Sequence, residues 1–199
     1  TASGSWIAVR TLLSVDTASS LGRYAEFECV SLSNYCMIGL ASASAALTQT
    51  HAESGTNFHY NNGTAYPGGS SFGSSWTTGD ILMLAVRNGK IYYGKNGTWF
   101  NSANFVAETG YAHSGLTGVR HLCMSAYTAS MRVFAAVADQ TYAAPSGFVG
   151  FVKPETLSRT LLDEDLNPLA SASFDWAFFE QATVDILEAP VATGTDSTD

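Results

Sequence analysis

Apolar and polar positions along this chain alternate with a period near two in several short runs, and none shows the three-to-four spacing of a helix face. Trp6 to Val15 reads as a first strand, followed by a Ser/Thr/Ala/Gly turn region from Asp16 to Gly22. Tyr24 to Leu32 and Cys36 to Leu40 read as the next two strands, joined at Ser33-Asn34. Ala41 to Leu47 is rich in small residues and fits a short helical turn, but it carries no apolar stripe. Thr48 to Ser75 is the longest irregular section, with a hairpin expected at Asn62-Gly63; loops of this length inside a compact domain are usually functional. Ile81 to Arg87 is an almost unbroken apolar run, as expected of a strand covered on both faces. Gly79-Asp80 and Asn88-Gly89 bound it at strand length. Asn88-Gly89 and Asn96-Gly97 accept the positive φ of tight hairpin turns, so the run continues as a meander through Lys90 to Tyr93 into a third strand begun by Trp99-Phe100. Asn101 to Gly118 is a loop-rich crossing, and Arg120 to Ala126 and Met131 to Val137 give two further strands. The pattern predicts an all-β antiparallel domain, and on its own suits a sandwich and a barrel equally.

The central meander resembles the core motif of the SPRY family, in which Gly-Asp opens an apolar strand, a turn follows, and a Gly-Lys-Ile-aromatic strand leads into Lys-Asn-Gly. Those elements stand here as Gly79-Asp80, Gly89-Lys90-Ile91-Tyr92 and Lys95-Asn96-Gly97, with Trp99 just beyond. Gly22-Arg23-Tyr24-Ala25-Glu26-Phe27 is similar to the family's Gly-Lys-aromatic strand, with Arg for Lys. Met37-Ile38-Gly39-Leu40 is similar to the strand that comes next, and Pro145-Ser146-Gly147-Phe148 to the close of phage and bacterial SPRY modules. The resemblance spans Ser5 to Phe151. It implies a concanavalin-like, bent antiparallel β-sandwich whose loops at one end form a variable surface.

Charge divides the chain. After Pro154 there are ten Asp/Glu against one Arg, leaving seven acidic against eight basic residues in the body. Lys153-Pro154-Glu155 therefore reads as a boundary between a SPRY-like sandwich (1–153) and the start of a second small β module or an acidic tail (154–199). Leu157 to Leu162 and Ser171 to Phe179 read as two strands around an acidic turn, and Thr183 to Leu187 as a third, similar to the first strands of an Ig-like or transthyretin-like module. Such a module needs more residues than follow, so the natural chain is expected to continue beyond Asp199, with Ala192 to Asp199 as linker. No basic stripe is present to neutralise phosphates, and no apolar run approaches the length of a membrane-spanning helix, so neither nucleic-acid binding nor membrane insertion is expected.

Candidate chemistry is sparse. Cys29, Cys36 and Cys123 lack metal or disulfide spacing and read as small buried hydrophobes in a reducing assembly environment. His51, His59, His113 and His121 show no ligand spacing. Asp163, Asp165 and Asn167 have alternate calcium-loop spacing, but Pro168 stands where Gly is needed and Phe174 where Glu is needed. Glu26 and Glu28 share a strand face without a cleft between them. There is no nucleophile elbow and no phosphate-binding glycine loop. Asn62-Gly63-Thr64 and Asn96-Gly97-Thr98 match glycosylation acceptors but are better explained as turns. No catalytic residue, metal or cofactor is expected.

What remains is a binding surface. Tyr60, Asn61, Tyr66 and Trp76 lie in or beside the long irregular section, and Trp99 and Phe100 follow the Lys-Asn-Gly turn, with Trp76 and Trp99 equally readable as core or edge-packing residues. Aromatic faces with Asn and Gly on sandwich loops bury area at low entropy cost, which suits peptide segments or sugars. The expectation is a non-enzymatic structural and interaction protein: a homo-oligomeric phage or viral particle appendage that binds other subunits or a host-surface protein or glycan. The alternative is an extracellular carbohydrate-binding module.

Overall fold

The computed structural model describes residues 7–45, 55–151, 157–159 and 172–174. Chain contacts divide it into two units, Thr1–Lys153 and Pro154–Asp199.

In the first unit β1 (Ile7–Asp16), β2 (Gly22–Leu32) and β3 (Cys36–Ser42) are followed by β4 (Thr56–Tyr60), β5 (Thr64–Tyr66) and β6 (Ser70–Ser71). The central meander is β7 (Ile81–Arg87), β8 (Lys90–Lys95) and β9 (Thr98–Trp99). β10 (Val119–Ala126), β11 (Ala129–Phe134) and β12 (Phe148–Gly150) complete it. One sheet runs β1-β10-β3-β4-β5-β6; the other runs β11-β2-β7-β8-β9, with β12 added parallel to the start of β2. Every other pairing is antiparallel.

Alternation along each strand builds the layers. Ala25, Phe27 and Cys29 of β2, Leu82, Leu84 and Val86 of β7, and Ile91 and Tyr93 of β8 face Cys36, Ile38 and Leu40 of β3 and Leu122 of β10 in one core between the sheets. The intervening residues are buried too. Tyr24, Met83, Ala85 and Tyr92 form a second cluster on the outer face of their sheet, closed by Trp99, Phe105, Tyr142 and Phe148. Met37, Ala41, Phe58 and Cys123 do the same on the other sheet. Burial on both faces is why β7 reads as a continuous apolar run.

Three expectations shift. Of the section from Thr48 to Ser75, residues 48–54 lie outside the described residues, and the rest is less irregular than its Gly/Pro content implies: β4, β5 and β6 extend the first sheet, and the Asn62-Gly63 turn joins the first two of them. The strand expected from Met131 to Val137 is Ala129–Phe134, and Val137–Asp139 is a single 3-10 turn. The third strand of the meander is only Thr98–Trp99, because Asn101 and Ser102 take left-handed backbone (φ 48° and 50°) and turn the chain away. In the helical-turn candidate, Ala41 and Ser42 end β3, and 46–47 lie outside the described residues.

The second unit contributes β13 (Leu157–Arg159) paired antiparallel with β14 (Ala172–Phe174), inside the two strands expected there. The third strand expected at Thr183 to Leu187, the acidic turn at Asp163, Asp165 and Asn167, and His51 lie outside the described residues.

The motif that carries the family resemblance is a clasp. Asn96 Oδ1 accepts from the Ile81 backbone N–H (2.8 Å) while its Nδ2 donates to Asp80 Oδ1 (2.7 Å). Asp80 Oδ2 also accepts from the Thr77 N–H (2.8 Å), and Lys95 Nζ donates to the Ser75 carbonyl (2.7 Å). Gly-Asp and Lys-Asn-Gly thus tie the start of β7 to the end of β8. Their work is structural.

Candidate functional site

Three turns converge where β2 meets β3, β4 meets β5, and β10 meets β11. The Tyr127 N–H donates to the Tyr35 carbonyl (2.8 Å), the Ser33 N–H to the Thr128 carbonyl (3.0 Å), and the Asn61 N–H to the Cys36 carbonyl (3.0 Å). Asn61 is spent on this joint: its Oδ1 accepts from the Cys36 N–H (3.3 Å) and its Nδ2 donates to the Asn34 carbonyl (3.2 Å). The staples bring four tyrosine rings together. Centroids lie 6.0 Å apart for Tyr66–Tyr60, 5.8 Å for Tyr60–Tyr35 and 6.4 Å for Tyr35–Tyr127, with tilted or edge-on planes. Tyr35 is 48% exposed, and the other three are half-buried. The segments that carry them, 31–36, 60–66 and 126–130, contain no Asp, Glu, Lys or Arg. Burial beside Tyr35, Tyr66 and Cys36 pushes the Tyr60 phenol up to about 12, so it stays neutral across physiological pH.

Of the six residues expected at the site, Tyr60, Asn61 and Tyr66 lie together on this platform. Trp76 sits behind it in the core, 3% exposed, its Nε1 donating to His59 Nδ1 (3.2 Å). Phe100 is also buried and stacks on His59 at 5.2 Å. Neither ring offers a face to a ligand. Trp99 is placed apart from all of these, half-buried on the outer face of the other sheet, edge-on to Tyr24 (5.9 Å) and Phe105 (4.9 Å). The physical reason is the switch of faces from one residue to the next: Trp99 points outward and Phe100 inward. Tyr35 and Tyr127 escaped the sequence reading because each occupies a short turn between strands. An aromatic there, where Ser, Asn or Gly is the default, is the signal that could have marked them.

Under the platform lies a sealed polar pair. His59 is fully buried; its Nε2–H donates to the Phe72 carbonyl (2.7 Å) and its Nδ1 accepts from Trp76, which fixes the neutral tautomer. His113, 8% exposed, bonds the Phe58 backbone, and its Nε2 has no partner. Both rings pack against Tyr93. Desolvation lowers each histidine to about 4.

The two glutamates expected to share a strand face are both occupied. Glu26, fully buried, accepts from Tyr24 Oη (2.6 Å) and from the Thr141 and Tyr142 N–H groups (2.7 and 2.8 Å), strapping that segment to the outer face of β2. Glu28 pairs with Arg132 (2.7 Å). Burial pushes the Cys29 and Cys36 thiols up to about 11 and about 12, so neither is a thiolate at neutral pH. Among the described residues no His/Cys/Asp/Glu group is placed to hold a metal ion.

No family model and no curated protein matches the sequence. Solved structures do. The SPRY domain of human HERC1 superposes with a TM-score of 0.53 at 16% identity, covering 66% of this chain and 84% of that one. The fold is SPRY-like. A second human SPRY domain aligns at 14% identity with a TM-score of 0.47, covering 66% of this chain and 85% of its own. The HERC1 match extends the sequence resemblance to a two-sheet SPRY-like fold over 66% of this chain. The tyrosine platform belongs to the turns at one end of it.

Proposed function

We propose that this chain is a non-enzymatic recognition module that binds protein segments through the platform of Tyr35, Tyr60, Tyr66 and Tyr127. The observation that carries this reading is the platform itself: four aromatic rings in mutual contact, Tyr35 and Tyr127 on turns joined through the backbone and Tyr60 and Tyr66 at the ends of β4 and β5. Rings so held present contact area whose ordering cost was met on folding. The HERC1 match contributes the fold, and the engagement of Glu26 and Glu28 in structural contacts supports a role without catalysis.

Selection from a random peptide display library against the intact chain tests it. Enriched peptides are expected to lose binding when Tyr60 or Tyr66 is replaced by Ala. Peptides that survive both substitutions would remove the platform as the site.

We infer a particle appendage of phage or viral type as the setting, and a homo-oligomer as the assembled form. Low charge in the sandwich, its Gly/Ser/Ala-rich loops and the acidic segment after Pro154 support this. Light scattering on the full-length gene product tests it: a stable trimer or ring agrees, and a concentration-independent monomer removes the appendage setting.

A further inference from the structure

We propose that the free edge of β11 pairs with the same edge of a second copy of this chain across a twofold axis. The inference rests on the homo-oligomer reading above and gives it a surface. Among the described residues no strand lies beyond β1, β6, β9, β11 or β12. β6 and β9 are two residues long, β12 is three, and β1 is broken by a bulge between Arg10 and Ser14. Short strands and bulges are how sheets blunt their edges. β11 runs six residues, Ala129–Phe134, without Pro, Gly or Lys, and the bulge in its pairing with β2 takes its extra residue, Val30, from β2. It is the unguarded edge.

Its backbone is set to receive a strand. Cys29 spends its N–H and C=O on Asp80 and Gly79, so the alternate residues Glu26 and Glu28 turn theirs to β11, and their partners Phe134 and Arg132 bond inward. Met131 and Val133 therefore point their N–H and C=O groups away from the sheet. Ala129 does the same, because the Ser33 N–H bonds the neighbouring Thr128 carbonyl on the inner side.

The layer above this edge selects the occupant. β1 stands over β11: Val9 and Thr11 of β1 and Val133 of β11 border one slot between the sheets. Val9 is 44% exposed, and Leu12 on the same strand is 96% exposed. A single extended peptide satisfies β11 and leaves that aliphatic layer in water. A second copy related by a twofold brings a strand for β11 and a β1 for Val9 and Leu12 in one contact.

Charge then sets the register. The outward groups at Ala129, Met131 and Val133 are symmetric about Met131, so a twofold there pairs Met131 with its own copy and Ala129 with the second copy's Val133. Ala129, Met131 and Val133 pack toward the core, which puts Ser130 and Arg132 on the outer face of the sheet. In this register Arg132, 2.7 Å from Glu28, stands opposite the second copy's Ser130. A twofold through Arg132 instead sets two arginines directly opposite, a destabilising like-charge pair. Met131 is the axis.

The test is analytical ultracentrifugation of the intact chain over a range of concentrations, with Ser130→Lys and Ser130→Glu alongside, and amide exchange on the wild type. The wild type is expected to associate in pairs. Exchange at Met131 and Val133 is expected to slow as concentration rises, while Arg132 and Phe134 keep the protection they have in the monomer. In Ser130→Lys the new charge meets Arg132 of the other copy twice per dimer and is expected to weaken association about tenfold; Ser130→Glu is expected to strengthen it by a similar factor. Ser130 lies on the outer face, so both variants should keep the wild-type circular dichroism, which separates lost pairing from lost folding. A wild type that stays monomeric overturns this inference and the homo-oligomer reading together. An odd-numbered assembly, or one indifferent to both charges at position 130, overturns the edge assignment and leaves the homo-oligomer standing.

Discussion

The buried histidines make acid the perturbation that should unfold this sandwich early. His59 and His113 are both lowered to about 4, chiefly by desolvation, against about 6.5 in an unfolded chain. The unfolded state therefore binds more protons between those values, and stability falls as pH drops from about 6.5 toward 4. Integrating the two titrations between pH 7 and pH 5 gives a loss of roughly 2 kcal/mol per histidine, about 4 kcal/mol for the pair. That is a large share of the 5–15 kcal/mol typical of a whole domain. The contacts explain why the fold resists protonation. A proton on His59 Nδ1 would face the Trp76 indole N–H, donor against donor, and the side chains packed on the ring are Phe72, Tyr93 and Phe100, none of them anionic. Burial holds the Tyr93 phenol well above its usual range, so it cannot serve as a counter-ion.

Urea unfolding of the wild type at pH 7 and pH 5, read by Trp fluorescence and by far-ultraviolet circular dichroism, measures the loss. Carboxylates at their ordinary pKa change little across this window, so the histidines should dominate it. His113→Phe is the sharper control, since it removes a titrating ring whose Nε2 has no partner. It is expected to shrink the pH 7-to-5 loss by about half, roughly 2 kcal/mol, whatever it does to stability at pH 7. A wild type that loses less than about 1 kcal/mol between these pH values, or a His113→Phe chain with the full loss, would refute the reasoning.

Three further outcomes follow from particular contacts. A Cβ on Gly39 would stand 1.9 Å from the Asn57 carbonyl oxygen and 2.9 Å from the Phe58 Cα, both backbone of the paired strand, so Gly39→Ala should cost about 3 kcal/mol or more in urea unfolding; less than about 1 kcal/mol would contradict this geometry. Glu26→Gln keeps the shape but puts an NH2 where one carboxylate oxygen accepts, against either the Thr141 N–H (Oε2) or the Tyr142 N–H and the Tyr24 hydroxyl (Oε1), so it should cost roughly 2 kcal/mol and speed amide exchange at Thr141 or Tyr142; unchanged exchange at both would show that the strap is held by packing alone. Asn96→Gly should lose the clasp but keep the left-handed turn, whereas Asn96→Ala loses both, so Ala should be the worse by about 1 kcal/mol; equal losses would mean that φ 49° at this position carries no strain.

The fold was legible because its strongest signals are local. The Asn-Gly pairs, with Asn88 and Asn96 at φ 49°, fixed both turns of the meander, and the apolar run from Ile81 to Arg87 matched β7 at both ends. Where strands are two or three residues long and closed by Gly and Pro, as in β5 and β6, periodicity has too few positions to register. The site was half legible for the same reason. Tyr60, Asn61 and Tyr66 stand in one visibly unusual stretch, whereas Tyr35 and Tyr127 join them only because two other turns are bonded to each other across 92 residues of chain. Trp76 and Phe100 look alike in sequence to a surface aromatic. Only their contacts with His59 place them inside.

That division also explains why the SPRY-like motif locates the fold so well and the function so poorly. Gly79-Asp80 and Lys95-Asn96-Gly97 are bonded to one another and to the β7 backbone, so any chain that closes this meander in this way needs those groups, whatever it binds. The platform is under no such requirement. The staples between its turns are largely backbone to backbone, from Tyr127 to Tyr35, Ser33 to Thr128 and Asn61 to Cys36, and would form with other side chains at positions 35 and 127.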